Sequence, residues 1–168
     1  MKKLFLLLLP AAPVLFSSCS KEETTVVSLD PFAGIEFDKR LAVTNSDLLK
    51  FQVMQNITNG NVQYLLFKND VAGYVVADMN GKPTGYIYFT NWAVSGNTLT
   101  MRRDNGTIET FEVSKQYSKT NANSYTVTVY VKDSKGEVAY SASPDGGQNS
   151  SLAAELWNII EVSRNSNQ

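Results

Sequence analysis

The one thiol of the chain, Cys19, stands directly behind Ser17-Ser18 and directly ahead of Ser20-Lys21-Glu22-Glu23. An ionised thiol is a strong nucleophile, and a lone cysteine has no partner within its chain. The position therefore points to covalent modification and not to a disulfide. Histidine is absent, which removes the commonest general base and the commonest transition-metal ligand. Paired carboxylates are what remains for hydrolysis. Glu109 and Glu112 differ in parity, so on one strand they point to opposite faces and cannot flank a single glycosidic bond. Asp70, Asp104, Asp133 and Asp145 occupy turn-like contexts, where aspartate shapes the backbone. Asp78-Met79-Asn80-Gly81 opens like a calcium loop but lacks the downstream bidentate acid, and it reads as a hairpin turn. There is no Gly-x-Ser-x-Gly elbow and no phosphate-cradling glycine loop. No catalytic residue, metal site or cofactor is expected, and the chain reads as non-catalytic. Recognition without reaction is the other chemistry on offer. Tyr74, Tyr86 and Tyr88, with Trp92 in the loop that follows, could stack sugar rings; the competing role for them is packing beneath a helix.

The elements that must position these residues begin with an export segment. Lys2 and Lys3 form a basic start, and the apolar run from Leu4 to Phe16 falls short of the roughly 20 residues that span a bilayer. Residues 1–18 therefore read as a signal peptide. Leu15-Phe16-Ser17-Ser18-Cys19 resembles the lipobox of bacterial lipoproteins. The resemblance implies that Cys19 is lipidated and the chain cut just before it. Cys19-Ser20-Lys21-Glu22-Glu23 is similar to the surface-export tag of lipoproteins of the Bacteroidota. By that resemblance, Lys21, Glu22 and Glu23 would direct the protein to the outer leaflet of the outer membrane, lipid-anchored and exposed at the cell surface. Residues 19–30 read as the lipidated tether and 31–168 as a single domain. Removing residues 1–18 from the 168 leaves 150, enough for one core. It also takes away two lysines and no acid, so the formal charge of −1 becomes −3. Nucleic acid is not an expected partner, because Arg102-Arg103 beside Asp104 reads as a solvated strand end.

Behind the tether the hydrophobic pattern has period two. The expectation is mainly β: an antiparallel meander of about eight strands, near 49–58, 61–68, 71–78, 84–90, 97–103, 107–114, 124–132 and 137–143, closing into a barrel-like domain. Ser46 could cap a rival helix over 47–56, but the turn arithmetic favours a strand there. An Asn59-Gly60 turn sets Val53 opposite Leu66, and an Asn69-Asp70 turn sets Leu66 opposite Gly73. The loop around Asn80-Gly81 then sets Val75 opposite Ile87. A three-residue loop with Gly106 left-handed sets Leu99 opposite Phe111, and the loop 133–136 sets Val129 opposite Tyr140 and Lys132 opposite Glu137 as a charge pair.

This register points Phe51, Leu66, Val75, Ile87, Phe89, Leu99, Met101, Phe111, Val129 and Tyr140 inward. Leu65, Phe67, Tyr74, Val76, Tyr86 and Tyr88 fall on the outside, an apolar patch that needs a cover. An amphipathic C-terminal helix from 151 to about 163, with Leu152, Leu156, Ile159 and Ile160 in its stripe, supplies one. Eight meandering strands and a C-terminal helix resemble the lipocalin and calycin architecture, and 94–101 followed by 104–107 is similar to the phrasing of small lipocalin-like bacterial lipoproteins. The Gly-x-Trp signature of true lipocalins does not occur, and no binding residue is carried over from them. The expected function is a binding module for a glycan or a protein. The alternatives are a lipocalin-like carrier of a small apolar ligand and a structural subunit of an outer-membrane complex. The bulk of the inward residues predicts a mostly filled barrel; an internal cavity above about 300 Å³, the lower end for small-molecule sites, would favour the carrier.

Overall fold

The computed structural model describes residues 32–143 and 150–165. The signal peptide, Cys19, Lys21, Glu22, Glu23 and the tether lie outside the described residues. The sheet is a closed barrel of β1 (Val53–Thr58), β2 (Asn61–Lys68), β3 (Val71–Asp78), β4 (Pro83–Ser95), β5 (Thr98–Arg103), β6 (Ile108–Asn121), β7 (Ser124–Asp133) and β8 (Gly136–Ala142), each strand antiparallel to its neighbours in chain order. Helix α1 (Asn45–Phe51) precedes the barrel and α2 (Ser150–Asn165) follows it.

Turn chemistry fixes most of the register. Asn59 and Gly60 both take positive φ, at 50° and 75°, as the favoured two-residue hairpin turn requires. Val53 pairs with Leu66 and Leu66 with Gly73. Gly106 is left-handed at φ 86°, and Leu99 pairs with Phe111. Val129 pairs with Tyr140 and Lys132 with Glu137, all as the turns predict. The charges nevertheless choose other partners: Lys132 binds Glu112 at 3.0 Å and Glu137 binds Arg40 at 3.0 Å.

Two local irregularities overturn part of the expected pattern. The first is α1, which replaces the start of the first strand. Thr44 caps it by accepting a hydrogen bond from the Asp47 N–H while Asp47 reaches back to the Thr44 N–H, a reciprocal arrangement that satisfies two free donors. The helix stops at Gln52, which has φ 58°. That break puts Phe51 and Val53, two residues apart, on opposite sides of the wall: Phe51 packs inside and Val53 outside. The second is a register shift beside the β3–β4 turn, between Val76 and Ala77. Tyr74, not Val75, faces Ile87. A one-residue slip exchanges the two faces of a strand. Across β1 to β3 the faces are therefore the reverse of those expected: Leu65, Phe67 and Tyr74 line the interior, while Leu66 and Val75 lie outside beneath α2. From Ile87 onward the expected faces hold, with Phe89, Leu99, Met101, Val129 and Tyr140 buried within the barrel.

Helix α2 does cover the outer face of the sheet. Its Ala153, Leu156, Trp157 and Ile160 bury against Val53, Leu66 and Val75, flanked by Tyr64, Tyr86 and Tyr88. Gly73 makes the close approach possible. A Cβ there would come within 2.5 Å of Ile160 Cδ1 and 3.5 Å of the Trp157 ring. Gly73→Val should therefore lift the helix and cost roughly 1–3 kcal/mol, the usual range for overpacking, read as a lowered urea midpoint.

The chain before α1 closes a gap in the wall. β5 leaves β6 beyond Glu112, and the exposed edge of β6 is taken up by the incoming segment: the N–H groups of Asp38 and Leu41 donate to the carbonyls of Tyr117 and Lys115, and Lys115 N–H donates to Leu41. Pairing an edge in this way removes a template for association. At the seam between first and last strands only Met54 with Ala142 and Gln55 with Ser141 pair, assisted by Asn56 Nδ2 donating to the Ala139 carbonyl at 2.9 Å.

Helix α1 plugs the barrel end from which β1 departs. Leu48 and Phe51 enter the core, Asn45 accepts a hydrogen bond from the Val94 N–H at 2.7 Å, and Asp47 binds Lys115 Nζ at 2.6 Å. Burial pushes the Asp47 carboxyl up and the Lys115 amine down. The hydrogen bonds to each other, to Thr44 and to Tyr117 outweigh it, so Asp47 lies below and Lys115 above its ordinary value. A lowered acid stabilises the fold above its unfolded pKa, near 4, and loses that contribution as pH falls through the folded value; a raised amine loses its own as pH climbs past its folded value, above about 10.4. Asp47→Asn should thus be less stable than the parent at pH 7, and the gap in unfolding free energy should shrink at pH 3.

Candidate functional site: the open end of the barrel

The end opposite α1 is where the turns after β1, β3, β5 and β7 gather. It opens into a cavity of about 300 Å³. The volume sits at the boundary set for a small-molecule site and not above it, so the barrel is filled below and hollow at its mouth. Leu65, Ile87, Phe89, Met101, Phe111, Val131 and Val138 form its apolar wall. Gln63, Arg103, Glu109, Asp133 and Lys135, beside the turns, form a polar rim.

Three of the rim groups are held by local structure. Arg103 donates from its guanidinium to Glu109, its neighbour across the β5–β6 hairpin, and lies 6.0 Å above the centre of the Phe89 ring. Both charges stay partly solvated, with side chains about a third and a quarter exposed at 34% and 25%. Such a pair is weak in stability terms and chiefly orients the two groups. Asp133 accepts hydrogen bonds from the N–H groups of Lys135 and Gly136, at 2.7 and 3.1 Å, and so shapes the β7–β8 turn.

Two phenols interrupt the apolar wall. Tyr74 on β3 and Tyr140 on β8 both line the cavity. Burial pushes the Tyr74 hydroxyl above its usual range. Tyr140 is raised further, by burial first and then by Tyr74 and Asp133 nearby. Both remain protonated at neutral pH, and among the described residues neither hydroxyl has a protein hydrogen-bond partner.

The four aromatic residues expected to act together are separated by the fold. Tyr74 faces the cavity, whereas Tyr86 and Tyr88 lie outside against α2, where the Arg164 guanidinium sits 3.8 Å above the Tyr88 ring. Trp92 is not in a loop. β4 runs on to Ser95, and the extra residue Thr90 in its pairing with β5 turns Trp92 inward. It is buried at 6% exposure, edge-on to Phe67 at 4.8 Å, with its Nε1 lacking a protein partner among the described residues. Sequence reasoning placed Tyr140, Phe89, Met101 and Phe111 inside, but it treated Arg103 as a solvated strand end. Parity with Leu99 and Met101 was the available signal, since Arg103 continues their face into the mouth.

The architecture is an eight-stranded antiparallel meander barrel with a C-terminal helix, consistent with a calycin-like fold. No protein-family model matches the chain, and no curated protein sequence or solved structure does so.

Proposed function

We propose that the protein is a lipid-anchored binding barrel of the outer membrane that takes a small, largely apolar ligand into its open end. The observation that carries this reading is a cavity of about 300 Å³, walled by apolar side chains beneath a polar rim, in a barrel whose other end is plugged by α1. Concave, mostly apolar sites with a few polar groups are the usual form of small-molecule pockets. A non-catalytic role accords with a wall that offers shape and two hydroxyls to a ligand. Lipidation at Cys19 and surface exposure through Lys21, Glu22 and Glu23 complete the proposal, on the resemblance of those residues to the lipobox and export tag.

The test is titration of the mature domain with the solvent-sensitive dye N-phenyl-1-naphthylamine. Val138→Trp, which fills the mouth, should weaken dye binding at least tenfold, and Tyr88→Ala, on the outside, should leave it within twofold. Binding that survives the filling substitution would refute the site. A glycan reading retains one supporting observation, an outer groove of about 380 Å³ bordered by Tyr86, Tyr88, Asp104, Asn105 and Arg164. Oligosaccharide binding lost on Tyr88→Ala and kept by Val138→Trp would favour it over the mouth.

A further inference from the structure

The cavity wall selects among small ligands more sharply than its apolar character implies. Below the charged rim its polar groups are the two phenols, Tyr74 and Tyr140, and they reach the same space from opposite flanks of the β8–β1–β2–β3 wall. Tyr140 is only 6% exposed as a residue, and its hydroxyl, which has no protein partner among the described residues, is not itself sealed in the core and lies open to the cavity. Each phenol can donate one hydrogen bond to an acceptor placed in the cavity. Phe89 and Phe111, on the facing wall, add aromatic surface for a flat molecule to pack on.

We propose that the mouth takes a neutral, flat, mostly apolar molecule carrying one oxygen acceptor, a ketone or similar carbonyl, which Tyr74 and Tyr140 clasp by donating to it. The inference rests on the mouth being the binding site. Neutrality follows from the balance of the rim and the dryness of the wall. Arg103 spends its guanidinium on Glu109, Lys135 and Asp133 add one charge of each sign, and an anion would gain no net attraction there for the water it gives up. A cation would leave water for a wall of hydrocarbon and phenols, with its counter-charges held at the rim.

Three probes of one shape separate the possibilities. 2-Acetylnaphthalene carries the acceptor, 2-isopropenylnaphthalene replaces its oxygen by a methylene, and 2-naphthoate adds a negative charge. Competition with the dye should show the ketone binding five- to tenfold more tightly than the hydrocarbon, and the carboxylate weakest. Tyr74→Phe with Tyr140→Phe should bring ketone and hydrocarbon within twofold while leaving the hydrocarbon unchanged. These substitutions remove hydroxyls without protein partners, so folding is preserved and the thermal midpoint verifies it. Equal affinities in the parent, a ketone advantage that survives both substitutions, or preferential binding of the carboxylate would each overturn the phenol clasp while leaving the mouth as the site. Failure of all three probes to bind would overturn both.

Discussion

Trp157→Ala should destabilise the domain by about 3–5 kcal/mol, the range for truncating a large buried aromatic side chain. Trp157 is 7% exposed and packs with Ile160 and Leu156 over Leu66 and Val75. Its ring also lies against Gly73, a position with no side chain to fill the gap that truncation would leave. The cost should appear in the urea midpoint and as a lost far-ultraviolet helical signal, because a helix of this length is marginal once its apolar face loses its partner. A midpoint shifted by less than 1 kcal/mol would mean that α2 contributes little to the fold. Tyr88 should then show the same response to quenchers in parent and variant.

Cys19→Ala should move the protein almost completely from the membrane fraction to the soluble one. The outer surface of the barrel explains why so large an effect is expected. On β5 to β7 it presents Thr98, Arg102, Thr110, Glu112, Thr126 and Lys132, all exposed, a surface suited to water and not to acyl chains. Among the described residues no helix is long and apolar enough to cross a membrane. A lipid at Cys19 would carry the attachment. Persistence of the variant in washed membranes would refute lipidation as the anchor. Replacing Lys21, Glu22 and Glu23 by alanine should leave membrane attachment intact and reduce cleavage by protease added to whole cells; undiminished cleavage would remove their role as an export tag.

The fold was largely legible because its turns carry their own chemistry. Asn59-Gly60 and Gly106 each fix a hairpin from within a few residues, and strands paired by such turns follow in register. What was hidden depends on single residues whose identity is ordinary. Gln52 with positive φ flips the facing of β1 to β3, the slip beside Ala77 flips it back, and the bulge at Thr90 turns Trp92 inward. Alternation measures relative facing within a strand and does not report such an offset. Hence Leu66 and Leu65 traded sides, and Trp92 moved from an expected loop into the core. The mouth was half legible for the same reason: β4 to β8 delivered their inward residues as expected, and Tyr74 arrived from the strand whose face was reversed.

The seam sets the order in which the molecule can assemble. Each strand from β1 to β8 pairs with the next through a short turn, so seven of the eight ladders draw on neighbours in the chain and form early. The eighth joins Met54 to Ala142 and must wait for nearly the whole domain to be synthesised. Until then the outer edges of β1 and β8 are both bare, and the intermediate is a curled ribbon with two sticky margins. The longer such a ribbon stays open, the more time its bare edges have to pair with another chain before the ring closes.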